Sequence, residues 1–336
     1  MRITIISLLF TGLLAGADGP RTPEGKPDFS GVYDIASITP LARPVVFGAR
    51  LELTDAEAEA LAKKKAAAVA AGNRASDPNR PAPAEGTDVG NYNLLWFENG
   101  SQPMKIRGKW RTSIITDPPD GRLPQTTPKG KAIAARNTLQ NRTPGDPFWL
   151  TEHLSPGPFD DPELRPLTER CLATFGTSAG PPMLPAGYNN LKQIVQTKDR
   201  IVILNEMIHD ARTIRMNAAH DPPDLRRWLG DSVGRWEGDT LVVDTTNFND
   251  TPGLFSASRD LHVVERFTRL DAHTLSYQFT VDDPTVWAKP WSGEVVWPTT
   301  DQRIFEYACH EGNYSFKGIL KGARVLEAEA SKKLPK

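Results

Sequence analysis

The chain has 336 residues, 39% hydrophobic and 24% charged, which is the usage of a folded globular protein and excludes a disordered or fibrous one. Lys and Arg number 40 against 41 Asp and Glu, so the formal net charge of -1 gives no general attraction to nucleic acid or to an anionic membrane. The 29 prolines and 26 glycines argue for many turns between short strands and against a helical bundle.

Residues 1–17 read as a secretory signal peptide. Arg2 precedes an apolar run from Ile3 to Ala15, and Ala15-Gly16-Ala17 is a small-x-small cleavage pattern. The run is too short for a permanent span, and no later segment reaches about 18 uninterrupted apolar residues. The expectation is one β-rich domain over residues 18–336, exported to a periplasm or secreted. Export lets Cys171 and Cys309, the two cysteines, form a disulfide in an oxidising compartment. Two buried thiols are the alternative, and zinc is disfavoured because neither cysteine has a second at C-x-x-C spacing.

Phe29 to Ile35 reads as a first strand. A helix is expected near 54–71, where Thr54-Asp-Ala-Glu57 makes a capping box, an alanine-rich run follows and Gly72 stops it. That helix offers little beyond Leu61 to a core, and its Lys63-Lys64-Lys65 run suits a solvated face. Residues 73–90 form a loop, Asn91 to Ile106 a hairpin around Asn99-Gly100, and Lys109 to Thr116 a strand ended by Asp117-Pro-Pro-Asp-Gly121. Pro128 then opens a second short helix, 128–139. From 141 to 190 the chain is irregular and proline-punctuated, long enough to roof a cavity.

Residues 191–310 are the regular half. Paired strands flank Lys198-Asp199, Glu237-Gly238 and Asp271-Ala272-His273, and Trp291–Trp297 and Arg303–Cys309 complete the series. Sequential hairpins predict a mainly β fold, an antiparallel up-and-down barrel or curled sheet, lipocalin-like in outline, with two short peripheral helices.

Several long motifs carry a resemblance, among them Asp117-Pro-Pro-Asp-Gly-Arg-Leu-Pro124, Gly234-Arg-Trp-Glu-Gly-Asp-Thr-Leu-Val-Val-Asp244 and Glu306-Tyr-Ala-Cys-His-Glu-Gly-Asn-Tyr314. In these the chain resembles a large family of secreted proteins from environmental bacteria. The resemblance implies export and a shared fold; it brings no activity and no catalytic residues.

Strand parity points to a site. Between Leu261 and Leu270 the two-residue period puts Glu265 on the face of Leu261, Val263 and Phe267. The same period aligns Glu306 and His310 with Ile304 and Ala308, and Glu206 with Val202 and Leu204. Inward carboxylates need partners such as Arg212, Arg266 or His310. Converging in a dry cavity they could serve as general acid and base, with Glu265, His310, Glu206, His209, Asp210 and Glu311 as candidates and Glu265 with His310 as the first pair. The competing reading is that Glu–Arg pairs only fix strand register.

A metal is disfavoured, since neighbours in His209-Asp210 and Cys309-His310-Glu311 point to opposite faces of a strand; a site would have to join His209, His262 and His310 from separate strands. Gly176-Thr-Ser178-Ala-Gly180 matches the nucleophile-elbow pattern without a preceding strand. Trp291 and Trp297, with Arg212 and Arg266, could wall a site for an apolar, phenolic or sugar-like ligand, although tryptophan in a barrel is more often core. The expected function is therefore small-molecule binding by an exported barrel, with an acid–base hydrolase, lyase or isomerase in the same cavity as the alternative. No cofactor, nucleic acid or membrane span is expected.

Overall fold

The computed structural model describes residues 19–75, 79, 81, 97–142, 146–173 and 178–333. The signal peptide expected at 1–17 lies outside the described residues, as does the first half of the hairpin expected from Asn91.

The fold is mainly β, a curled half-barrel sheet of ten strands. In chain order its members are β1 (Gly31–Asp34), β5 (Ile115–Asp117), β6 (Leu191–Gln196), β7 (Arg200–Asn205), β8 (Ala211–Met216), β9 (Asp231–Glu237), β10 (Thr240–Thr246), β11 (His262–Asp271), β12 (Thr274–Asp282) and β13 (Trp291–Pro298). Across the sheet the order is β1-β6-β7-β8-β9-β10-β11-β12-β13-β5. A second sheet joins β2 (Glu52–Leu53), β4 (Lys109–Arg111) and β3 (Lys105–Ile106) in the order β2-β4-β3. The curl brings the first edge toward the far side, where Tyr33 bridges Thr299 and the Thr300 amide donates to the Val32 carbonyl at 2.9 Å.

From β6 to β13 the strands follow chain order, and within that run one connection is not a link between antiparallel neighbours. β8 and β9 are parallel, with Ile214 opposite Ser232. Strands running the same way cannot share a tight turn, and residues 217–230 make the crossover that such a pair requires.

The helices frame the sheet. The first, α1 (Asp55–Gly72), begins at the expected capping box: the Glu57 amide donates to Thr54 Oγ1 at 3.2 Å and the Thr54 amide to Glu57 Oε2 at 2.8 Å. Ala58 is its one buried residue, as its alanine-rich sequence predicts. Thr127 caps α2 (Pro128–Gln140), and a single turn, α3 (Phe148–Thr151), follows.

The expected strand Arg303–Cys309 does not form. Residues 301–308 are irregular, and α4 (Tyr314–Lys333) follows. This segment is fixed by individual bonds instead of a ladder: the Phe305 amide donates to Glu206 Oε1 at 3.2 Å, and Cys309 is bonded to Cys171. The disulfide expected from export is therefore present, with Cα atoms 5.8 Å apart across 138 residues of sequence. A loop of that length contributes roughly 5 kcal/mol in the chain-entropy account. Ile319, Ala323 and Leu326 of α4, spaced at helical intervals, pack on Phe148, Trp149 and Phe159 in a core separate from the sheet.

The interior of the half-barrel is filled. Trp297 is fully buried against Tyr33, Phe267 and Tyr277 at ring separations of 6.1, 5.5 and 5.2 Å, and Trp291 against Phe279 and Trp287 at 5.6 and 5.8 Å. Each such burial is worth about 1.5–3 kcal/mol. Gly293 makes room for this stack, since a Cβ there would stand 2.5 Å from the Phe279 ring. Trp291 and Trp297 are core residues, and the ligand wall expected of them inside the barrel is not present.

Candidate functional site

The inward charge that parity assigns to β11 is real and saturated. Glu265 is fully buried. Arg212 of β8 donates Nη1–H to its Oε1 at 2.8 Å and Nη2–H to its Oε2, and the Tyr277 hydroxyl donates to Oε1 at 2.8 Å. The remaining guanidinium donors reach Ser232 Oγ at 2.9 Å and Thr245 Oγ1 at 2.8 Å, while the Tyr277 oxygen accepts from the Met183 amide at 2.9 Å. Five strands are thus tied together around one ion pair. Burial raises the Tyr277 phenol well above its ordinary pKa, and the Glu265 charge adds to it. Burial works against the Arg212 charge, and Glu265 more than restores it.

His310, the intended partner of Glu265, is exposed in the turn before α4, and Glu306 and Glu311 are exposed with it. These residues lost their inward direction when the strand carrying them failed to form. Arg266 lies on the outer face and donates to Glu237 at 2.8 Å. Of the residues proposed around Glu265, the structure brings Arg212 to it and leaves His310 and Arg266 elsewhere.

Four more ionisable groups line up on the outer face. His220, in the β8–β9 crossover, faces Asp231 Oδ2 through Nδ1 at 3.0 Å and Asp244 Oδ1 through Nε2 at 2.9 Å, and His262 Nε2 lies 3.0 Å from Asp244 Oδ2. The hydrogen bond that His262 donates to Asp244 raises the His262 pKa against the opposing effect of burial and lowers that of Asp244. Among the described residues no three His, Cys, Asp or Glu side chains are placed to hold a metal ion, so His209, His262 and His310 do not form the trio considered above.

The two ends of the sheet differ. Short turns at 197–199, 238–239 and 272–273 close one end, while the long connections 35–51, 178–190, 206–210, 247–261 and 283–290 gather at the other. Loops carried on a rigid sheet are where binding groups concentrate. Here a cleft of about 850 Å³ runs between α1 and residues 37–41 and 184–188, lined by Leu41, Leu61, Ala68, Leu184, Met207 and Phe255. Lys64 and Lys65 stand on its α1 side, and Lys65 donates to Asn99 Oδ1 at 2.6 Å. A second cleft of about 840 Å³, lined by Arg142, Arg170 and Trp228 among others, shares Phe255 with the first.

Three of the sequence candidates lie in the link between β7 and β8, whose Met207 lines the first cleft. Glu206 is buried and accepts from the Phe305 amide; His209, exposed, meets the Tyr307 carbonyl through Nδ1 at 3.0 Å; Asp210 is half-buried. Burial pushes the Asp210 carboxyl up to about 6, against the pull of His209 and Lys192. Parity reasoning overlooked Lys192 of β6, which shares the inward face with Ile194. Its side chain is fully buried, and burial brings its amine down to about 7 despite Glu206, Asp210 and Asp34 nearby. Two titrating groups drawn toward neutrality at the loop-bearing end are suited to proton transfer. Ser178 is buried with its hydroxyl 3.2 Å from the Met207 sulfur, a thioether where a nucleophile would need a base.

No protein-family model, curated protein or solved structure matches the chain.

Proposed function

We propose that the protein is exported and binds a small organic molecule, apolar, phenolic or sugar-like, in the cleft at the loop-bearing end of the sheet. The cleft itself carries the reading. At about 850 Å³ it falls in the range of small-molecule sites, its lining is largely aliphatic, and Lys64 supplies a cation at its edge. The Cys171–Cys309 bond supports an oxidising compartment, and no helix among the described residues is long and apolar enough to cross a membrane. The motif resemblance to secreted proteins of environmental bacteria points the same way. This moves the expected binding site from the interior of the barrel, which aromatic side chains fill, to its rim.

Equilibrium dialysis against a pool of phenols, aromatic acids and sugars tests the reading, with Ala68→Trp as the control that fills the cleft from an exposed helix position. Retention of a compound by the wild type and at least a tenfold loss in Ala68→Trp is expected. Equal retention by both proteins, or none by either, refutes it.

A second reading is favoured by Asp210 and Lys192. With proton affinities drawn toward neutrality at the end of the sheet where Met207 lines the cleft, they would give an acid–base hydrolase, lyase or isomerase acting on the same ligand. Turnover of the retained compound that falls at least 100-fold in Asp210→Asn, with dialysis retention unchanged, would establish it.

A further inference from the structure

Buried polar atoms almost always find a partner, so a cluster of orphans marks a place where something is bound. Among the described residues, eight buried side-chain polar atoms have none, and three of them belong to one neighbourhood: Lys192 Nζ, Asn205 Oδ1 and Asp210 Oδ2. Their adjacency follows from the backbone. Lys192 and Asn205 are directly opposite each other in the β6–β7 ladder, and the Asn205 amide and Nδ2–H both donate to the Asp210 carbonyl, at 2.8 and 3.2 Å. Asn205 cannot turn to help, because its Nδ2–H also donates to the Ala179 carbonyl at 3.2 Å, which fixes the direction of Oδ1.

Lys192 feels the charges of Glu206, Asp210 and Asp34, yet its ammonium nitrogen has no hydrogen bond to any of them. The carboxylates come from three directions: Asp34 from β1, Glu206 from the end of β7, and Asp210 from the start of β8, with the His209 imidazole beside Asp210. A lysine in such company would close on one of them unless an intervening group held it off.

We propose that Lys192, Asn205 and Asp210 enclose a single bound water, through which the lysine and the carboxylate exchange a proton. The donor and acceptor count selects water. The amine donates once to the guest, while the amide oxygen and the carboxylate oxygen each accept once. Water accepts one and donates two, so each of the three orphaned atoms gains a partner from one molecule, with the two to four polar partners that buried waters ordinarily have. A chloride could donate to neither oxygen, and a cation would be repelled by the ammonium. Proton exchange is balanced within the unit: Lys192 gives a proton to the water oxygen as that water gives one to Asp210 Oδ2, leaving a neutral amine, a neutral carboxyl and an unchanged water.

The proposal stands apart from ligand binding in the cleft, since the water is expected in the free protein. A crystal structure of the free mature chain at about 1.3 Å or better should show one oxygen within hydrogen-bonding distance of all three atoms. Nitrogen-detected NMR of the Lys192 side chain, assigned by its loss in Lys192→Arg, should give an amine titrating at least two units below an ordinary lysine. In Asp210→Asn, which keeps the shape, that titration should move down by about one unit as the attracting charge is lost. A direct contact between Lys192 Nζ and a carboxylate with no intervening oxygen would overturn the proposal. So would a lysine that titrates normally or ignores Asp210→Asn.

Discussion

Arg212 and Glu265 meet end-on in the dry interior, two guanidinium donors against two carboxylate oxygens, with no solvent on either side chain. A pair in this position gains little over a well-packed apolar substitute, because both charges have been stripped of water; its larger effect appears when one partner is removed. Arg212→Met leaves Glu265 buried with only the Tyr277 hydroxyl, and should cost about 3–5 kcal/mol in urea unfolding. The double variant Arg212→Met with Glu265→Leu should recover at least half of that loss. If the double variant is no better than the single one, the pair is not the coupled unit described.

The disulfide should matter beyond its own loop. Cys309 sits four residues after Phe305, whose amide holds Glu206, and Asn313 donates to the Glu169 carbonyl at 2.7 Å, so one covalent tie anchors a segment that has no ladder. Cys171→Ser with Cys309→Ser should lower stability by about 2–5 kcal/mol. Hydrogen exchange should accelerate at Phe305 and Tyr307 before it changes in β10 or β11.

The histidine–aspartate line on the outer face predicts a modest pH dependence. The folded His262 pKa is raised, so its stabilisation is fully present below the unfolded imidazole value of roughly 6.5 and is lost as pH rises through the higher folded value. Asp244 is lowered, so its share is present above the ordinary carboxylate value and is lost as pH falls through the depressed folded one. The two effects overlap in mildly acidic solution, where the pair contributes most. Both side chains are partly exposed, which limits the contribution to about 1 kcal/mol. The stability advantage of the wild type over His262→Gln in urea should be largest in mildly acidic solution and should shrink as pH rises through the raised histidine value.

How far the sequence discloses this molecule depends on whether an interaction is local. Parity places Glu265 inward because β11 alternates without interruption over ten residues, and the capping box at Thr54 and Glu57 spans four. Parity also turns Trp291 and Trp297 inward, but whether they line space or fill it depends on Tyr33 and Phe267, which are remote in sequence. The parallel β8–β9 pair is invisible for the same reason: nothing in residues 217–230 states which strand face they return to. The Arg303–Cys309 segment misleads because its alternation is genuine while its backbone bonds go to side chains. The helical spacing of Ile319, Ala323 and Leu326 was open to reading, and Lys192 could have been found by extending to β6 the rule that found Glu265.

Lys192 supplies a sharper pH test than the surface histidines. Its amine falls from 10.5 in the open chain to about 7 when buried, so between those values the unfolded state binds the additional proton and stability must rise with pH. A difference of that size corresponds to roughly 4–5 kcal/mol at full extent, present as a penalty below neutrality and relieved above about pH 10. Asp210, raised to about 6, acts in the other window: its penalty develops as pH rises from about 4 to 6. The wild type should therefore lose stability from pH 4 to 6 and regain it from pH 7 upward. Lys192→Met replaces the amine with an apolar chain of similar length, so the rise above pH 7 should disappear and stability at pH 6 should increase. A wild-type profile that is flat from pH 7 to 9, or a methionine variant that keeps the rise, would show that this lysine holds its proton in the folded chain as firmly as in the unfolded one.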